Sequence, residues 1–237
     1  YLSEFTDSGE ALEKLETGVD RAVLSTDDPS VYRYDQMDTN SSENSSMQMG
    51  TNSTAYYFSV ASSSIANFFD EMYLNTPWEQ HYNNLDGRTI LDRLASVKYF
   101  VVKKGKESDL PYGYSRLSGE AEKNGKTYLA YADEDALPLG YTYDSWISRE
   151  DYDKMTVTEK QQALLQGVVL DDSSLPETET HFNDREVSYY TSEGKGCRLK
   201  NGKVVVTQEN AQLKLVFEGE ENAETYLITE GLDYEGL

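Results

Sequence analysis

The apolar residues of this chain come in short runs, and this limits its possible folds more than any other feature. The longest, such as "YFVV" at Tyr99 to Val102 and "VVL" at Val168 to Leu170, fall far short of the roughly 20 residues that span a bilayer as a helix. No membrane helix is expected within the chain. At 237 residues it is still long enough to bury one large core or two modest ones without disulfide staples. Such a core has to be assembled from many short elements. The chain starts at Tyr1, with neither a charged leader nor an apolar signal core, so it reads as a segment of something longer.

Charge removes several function classes. With 43 acidic and 21 basic residues the formal charge is -22, and the summed field is expected to repel nucleic-acid phosphates and anionic lipid surfaces. No nucleic-acid partner is expected. Cys197 is the single cysteine, which excludes an internal disulfide and a thiolate metal cluster and leaves the compartment open.

Along the chain, Ser8 is placed to cap a short helix over "GEALEKLE", and "SVYRY" (Ser30 to Tyr34) has strand propensity. Asn40 to Thr54 is polar and glycine-punctuated, a loop by composition. Its Asn-x-Ser/Thr triplets at Asn40, Asn44 and Asn52 follow from that composition; only in a eukaryotic secreted chain would they suggest glycan acceptors. "AYYFSV" reads as a strand, and Ser62 to Ser64 open a helix whose Ile65, Phe68, Phe69 and Met72 recur at helical spacing as core residues. Ile90, Leu91 and Leu94 form another helical face that leads into the strand "KYFVV". Asn124-Gly125 then marks a two-residue hairpin turn.

"ALPLGYTY" (Ala136 to Tyr143) is expected to continue the strands. The patterns "SRED" and "TVTE" each predict a capping box and so a pair of short consecutive helices, the second ending at Gly167. The acidic "DDSSLPETETHFND" (Asp171 to Asp184) reads as a linker or long crossover. Five β-like runs follow: "VSYYT", "GCRLK", "KVVVTQ", "QLKLVFE" and "ETYLIT", with Asn201-Gly202 as a turn and alternation through Leu213, Leu215 and Phe217. The predicted class is α+β: a mixed α/β domain over 1-172, then an antiparallel, jelly-roll-like β-sandwich over 185-237.

Chemistry is sparsely encoded. His81 and His181 stand alone, without the close pairing of zinc sites, and surface or supporting roles suit them best. Serine-hydrolase elbows, phosphate loops and dinucleotide loops are absent, and "GKGCRLKNG" lacks P-loop spacing. Acidic pairs such as Asp171-Asp172 occur by composition, and "DEDA" (Asp133 to Ala136) lacks EF-hand spacing, so solvated charge is the preferred reading. No catalytic residue, metal or cofactor is assigned. Four residues stand as ligand-binding candidates. Arg33 is a cation whose planar fork matches phosphate, and Asn52 lies in an amide-rich loop suited to sugar hydroxyls. Tyr57 and Trp78 offer flat apolar faces with a polar handle.

Several strings in this order resemble one family: "VYRY", "GTNSTAYYFSVASSS", "LASVKYFVVKKG" with "LPYGY", and "ALPLGYTYDSWISREDYDKMTVTEKQQALLQGVVLDD". Together, over about Ser30 to Asp172, they resemble the extracytoplasmic part of the YfhO family of bacterial multi-spanning membrane proteins. The resemblance implies a GT-C-like glycosyltransferase that uses a polyprenyl-phosphate sugar to modify an envelope polymer such as lipoteichoic acid. On that basis the chain would be its accessory domain at the extracytoplasmic face of the bacterial membrane. It would be catalytically silent, with an envelope glycopolymer or lipid-linked sugar as partner and membrane segments outside this sequence. The alternative is a free-standing carbohydrate- or protein-binding envelope module with no link to glycosyl transfer.

Overall fold

The computed structural model describes residues 7–9, 28–36, 44, 46–47, 50–74, 80–123, 125–229 and 231. The chain divides into two units, Tyr1–Phe182 and Asn183–Leu237, in an α+β architecture. The helix expected over "GEALEKLE" lies outside the described residues.

In chain order the first unit holds β1 (Arg33–Gln36), β2 (Tyr56–Tyr57), α1 (Ser63–Glu71), β3 (His81–Tyr82), α2 (Thr89–Leu94) and β4 (Val97–Lys103). After these come β5 (Arg116–Lys123), β6 (Lys126–Ala132), β7 (Trp146–Ser148), α3 (Arg149–Asp153), α4 (Val157–Ala163) and β8 (Val168–Leu170). Four strands form one sheet in the order β1-β4-β6-β5, with β1 parallel to β4 and the other pairs antiparallel. The strand "KYFVV" is central, so both of its faces are covered. Tyr99 and Val101 pack with Tyr34, Ala130 and Ala132, while Phe100 and Val102 pack with Tyr114 and Leu129. The β5–β6 hairpin closes with Lys123 opposite Lys126, the two-residue spacing expected, and Gly125 takes φ +69°.

A second core lies beside the helices. Phe69 and Met72 of the α1 region, Leu91 of α2, Ile147 of β7, Tyr152 of α3 and Ala163 of α4 are buried together. Ile65, expected in this core, stays 38% exposed in the first turn of α1, where the apolar stripe runs past the packed surface. Arg88, just ahead of α2, ties the helices together: its Nε and Nη2 donate to Gln161 Oε1 of α4 at 2.9 and 2.7 Å. Its Nη1 donates to the Met72 carbonyl, so three elements share one buried cation.

Both capping patterns start helices, but only the second forms the predicted reciprocal box; at Ser148 the N-cap side chain acts alone. The Asp151 amide donates to Ser148 Oγ at 3.1 Å, and Thr156 and Glu159 form a reciprocal capping box at the start of α4. "ALPLGYTY" departs from expectation: it is irregular, because Pro138 cannot donate to a ladder and Gly140 weakens one. It is held through other groups. The Leu137 amide donates to Arg93 O at 3.1 Å, the Tyr141 hydroxyl to Leu94 O at 3.2 Å, and the Tyr143 hydroxyl to Leu164 O at 2.5 Å.

The stretch read as a linker is in large part built into the first unit. The Trp146 amide donates to Pro176 O at 3.0 Å and the Thr178 amide to Trp146 O at 2.7 Å, so residues 176–178 run beside β7. Gly167 is needed there, since a Cβ would come within 2.6 Å of Thr178 Oγ1.

The second unit holds β9 (Tyr189–Lys195), β10 (Cys197–Lys200), β11 (Lys203–Val206) and β12 (Gln212–Phe217). These pair antiparallel as β9 with β12 and β10 with β11. The β10–β11 turn puts Asn201 at φ 51° and Gly202 at φ 72°, the left-handed pair that a two-residue hairpin needs. "ETYLIT" joins no strand. The expected sandwich is thus represented by two two-stranded ladders.

Candidate functional site

The first unit carries a groove of about 340 Å³. Phe68, Phe69, Leu85, Leu91 and Leu94 give it an apolar lining. Its polar lining comes from Arg33, Thr54, Tyr56, Tyr141 and Tyr143. Tyrosine suits such a wall, because the ring covers apolar surface while the hydroxyl can reach a partner. Tyr141 and Tyr143 use theirs on the carbonyls of Leu94 and Leu164. Tyr56 differs: its ring stacks on Tyr82 at 4.8 Å, and its buried hydroxyl has no hydrogen-bond partner among the described residues. Burial and the neighbouring Tyr82 push that phenol above its ordinary range, so it stays protonated and able to donate.

Arg33 reaches the groove because β1 alternates. Tyr34 enters the sheet core, while Arg33 and Asp35, two apart, share the other face. The Arg33 amide donates to Ser96 O at 2.7 Å and its Nη1 to Ala95 O at 2.5 Å, which anchors one corner of the guanidinium. Asp35 is 1% exposed. It accepts from the Thr54 amide at 3.2 Å, from Ser53 Oγ at 3.2 Å and from Thr54 Oγ1. Burial pushes its acid up to about 6, against the opposing pull of those donors and of Arg33. The carboxylate thus holds the Ser53–Thr54 corner, and Thr54 in turn faces the groove.

The other expected residues are distributed as follows. The Asn52 side chain donates to Tyr32 O at 3.1 Å, and its carbonyl accepts from the Tyr34 amide, so it clamps β1. Tyr57 is 40% exposed, with its ring 4.5 Å from that of His81. Its backbone is bracketed by Asn44, whose Nδ2 donates to Tyr57 O at 2.8 Å while Oδ1 accepts from the Tyr57 amide at 3.2 Å. Trp78 and Asn40 lie outside the described residues. His181 is held through its backbone by Gln166. Asp133, read as solvated charge, is instead 2% exposed and paired with Arg93 Nε at 2.6 Å. Gly113, at φ +96°, lies against that pair; a Cβ there would be 3.1 Å from Asp133 Oδ2.

A family model described as "Bacterial membrane protein YfhO" matches residues 2–233. The chain belongs to the YfhO family. It is 25% identical over 193 residues to a protein of Bacillus subtilis (strain 168) called "Uncharacterized protein YfhO", covering 80% of this chain and 22% of that relative. This YfhO-family chain therefore spans about a fifth of the relative's length. No solved structure matches it. The family is described as a membrane protein, while among the described residues no helix is long and apolar enough to cross a membrane.

Within this YfhO chain, the strings that carried the resemblance meet at the groove. "VYRY" supplies Arg33, "GTNSTAYYFSVASSS" supplies Thr54 and Tyr56, "LASVKYFVVKKG" supplies Leu94 and Ala95, and the long "ALPLGY" string supplies Tyr141, Tyr143 and Leu164. Residue-by-residue reading found only Arg33 of these. The usable signal for the others was that the strings recur together, since each tyrosine taken alone reads as sheet or loop.

Proposed function

We propose that this chain is an accessory domain of a polytopic membrane glycosyltransferase, lying on the extracytoplasmic face, and that its groove binds or orients a phosphate-bearing envelope acceptor such as lipoteichoic acid. One observation carries the reading: a largely apolar groove lined by a cation, Arg33, and by Tyr56, whose buried hydroxyl has no partner among the described residues. A buried polar atom without a partner is rare in a folded protein, and a ligand oxygen would satisfy it. Arg33 keeps N–H donors beyond the one given to Ala95, and a guanidinium pairs well with phosphate. The net charge of -22 repels a polyanion at long range, but at about 0.15 M salt the Debye length is only about 8 Å, so the local cation governs docking. The domain itself performs no transfer in this reading; the chemistry belongs to the rest of the protein.

The test uses the full-length protein in its membrane. Arg33→Ala is expected to lower glycosylation of the envelope polymer about tenfold or more, the scale of one lost charge-assisted hydrogen bond. Tyr56→Phe should lower it severalfold while leaving stability unchanged, because the hydroxyl bonds nothing among the described residues. Unchanged glycosylation in both folded variants would remove the groove from the reaction and favour an envelope-binding module unconnected with transfer.

A further inference from the structure

Two stretches of this acidic chain hold four or more cations with no acid among them. The first runs from Arg93 to Lys106, and the structure uses its charges internally. Arg93 pairs with Asp133, Lys98 with Asp28 and Lys104 with Glu120. The second, Gly194 to Gln208, contains Lys195, Arg198, Lys200 and Lys203. None of these four forms an ion pair among the described residues; an ion pair in the second unit joins Arg185 to Glu220. The difference is one of availability.

The ladder register shows how those cations are displayed. Opposed residues of an antiparallel pair share a face, and here Arg198 opposes Val205 while Lys200 opposes Lys203 across the Asn201-Gly202 turn. One face of the β10–β11 hairpin therefore presents Arg198, Lys200 and Lys203 around Val205, and all four are exposed. Like charges placed directly opposite each other destabilise a ladder, so the Lys200–Lys203 pair costs the isolated fold something that an anionic partner would relieve. The same hairpin exposes apolar surface: Val204 is 53% and Val206 64% exposed.

We propose that the β10–β11 hairpin docks onto the headgroup region of an anionic lipid bilayer. Val204 and Val206 lie on the face opposite the cations, so a hairpin lying in the interface plane turns its valines toward the acyl edge and its basic face toward the lipid phosphates. A soluble polyanion would use the basic face alone and leave the valines in water. Membership of a membrane-protein family puts such a surface within reach. Salt at about 0.1 M weakens the repulsion expected from the rest of the chain, and the hairpin offers a local cationic surface. This inference does not depend on the groove, and Arg33 plays no part in it.

Co-sedimentation of the 237-residue chain with vesicles tests it. At about 0.1 M salt the chain is expected to partition onto phosphatidylglycerol vesicles and not onto phosphatidylcholine. Lys200→Glu with Lys203→Glu should lower that partition about tenfold or more, from the worth of a basic residue near an anionic surface. Lys106→Glu with Lys126→Glu, the same charge change on exposed residues of the first unit, should change it less than about twofold. Val204→Ser with Val206→Ser should weaken it severalfold without altering its salt dependence. Circular dichroism verifies folding. If the glutamate pair misfolds, Arg198→Gln with Lys203→Gln, which removes charge without reversing it, takes its place with the same expected direction. The proposal is overturned by a wild type that ignores phosphatidylglycerol, by equal losses in the hairpin and control pairs, or by unchanged partition in the hairpin pair. It is also overturned if the chain binds inorganic polyphosphate but no vesicle, which would make the partner a soluble polyanion.

Discussion

The two units build stability in different ways. The first buries Tyr34, Tyr99, Phe100, Met72 and Leu91 to 1% exposure or less and pins its joints with polar pairs, the buried Arg88–Gln161 and the partly buried Arg93–Asp133. In the second, no residue whose exposure is described falls in the buried class, and β11 is exposed along its whole length. Area removed from water is the main source of folding free energy. The second unit therefore relies on ladder hydrogen bonds and turn geometry, and its exposed valines are free to serve a partner. The two units of one membrane-protein segment thus differ in how much apolar surface they bury.

The sharpest way to break this contrast is to remove equivalent apolar groups from each unit. Phe100→Ala, at 0% exposure, should cost about 3–5 kcal/mol, read from urea midpoints of the first unit's amides by hydrogen exchange. A loss below about 1 kcal/mol would mean that the sheet core is loosely packed.

Next in size is a pH effect confined to the first unit. Because burial raises the Asp35 acid from its usual 3.8 to about 6, the folded state holds a proton that the unfolded chain has lost between those values. Its contribution is fully present below about 3.8 and is lost as pH rises through about 6. Each unit of such a gap is worth about 1.4 kcal/mol. Asp28 opposes it: burial raises its acid, but the Lys98 ion pair and the Ser30 hydrogen bonds outweigh burial and hold it well below the usual range. The informative quantity is therefore the difference between wild type and Asp35→Asn, which should flatten the fall in stability between pH 4 and pH 6. Parallel curves would show that Asp35 titrates alike in both states.

Smaller effects test the joints. Gly113→Ala forces a side chain into a left-handed conformation against the Arg93–Asp133 pair and should cost about 1–2 kcal/mol. Thr156→Ala removes the capping box of α4 and should cost about 1 kcal/mol. Last comes the second unit: Val204→Thr, at 53% exposure, should shift its denaturation midpoint by less than about 0.5 kcal/mol. A larger loss there would reveal a core in the second unit and collapse the contrast between the two.

Local rules sufficed wherever the cause of a structure lies within a few residues. The two-residue closures of the β5–β6 and β10–β11 hairpins, the caps at Ser148 and Thr156 and the strand "KYFVV" follow from backbone conformation, capping donors and side-chain type, all of which are present in the sequence itself. The family was legible too, through strings kept in order along the chain. Other features depended on contacts between distant segments. Pro138 and Gly140 turned "ALPLGYTY" from an expected strand into a groove wall tied to Leu94 and Leu164, and Asp133 became a buried partner of Arg93, 40 positions away. The groove itself joins side chains from Arg33 to Leu164. Burial, which sets the Asp35 acid and leaves the Tyr56 hydroxyl without a hydrogen-bond partner among the described residues, is a property of packing, so only the tertiary structure could decide it.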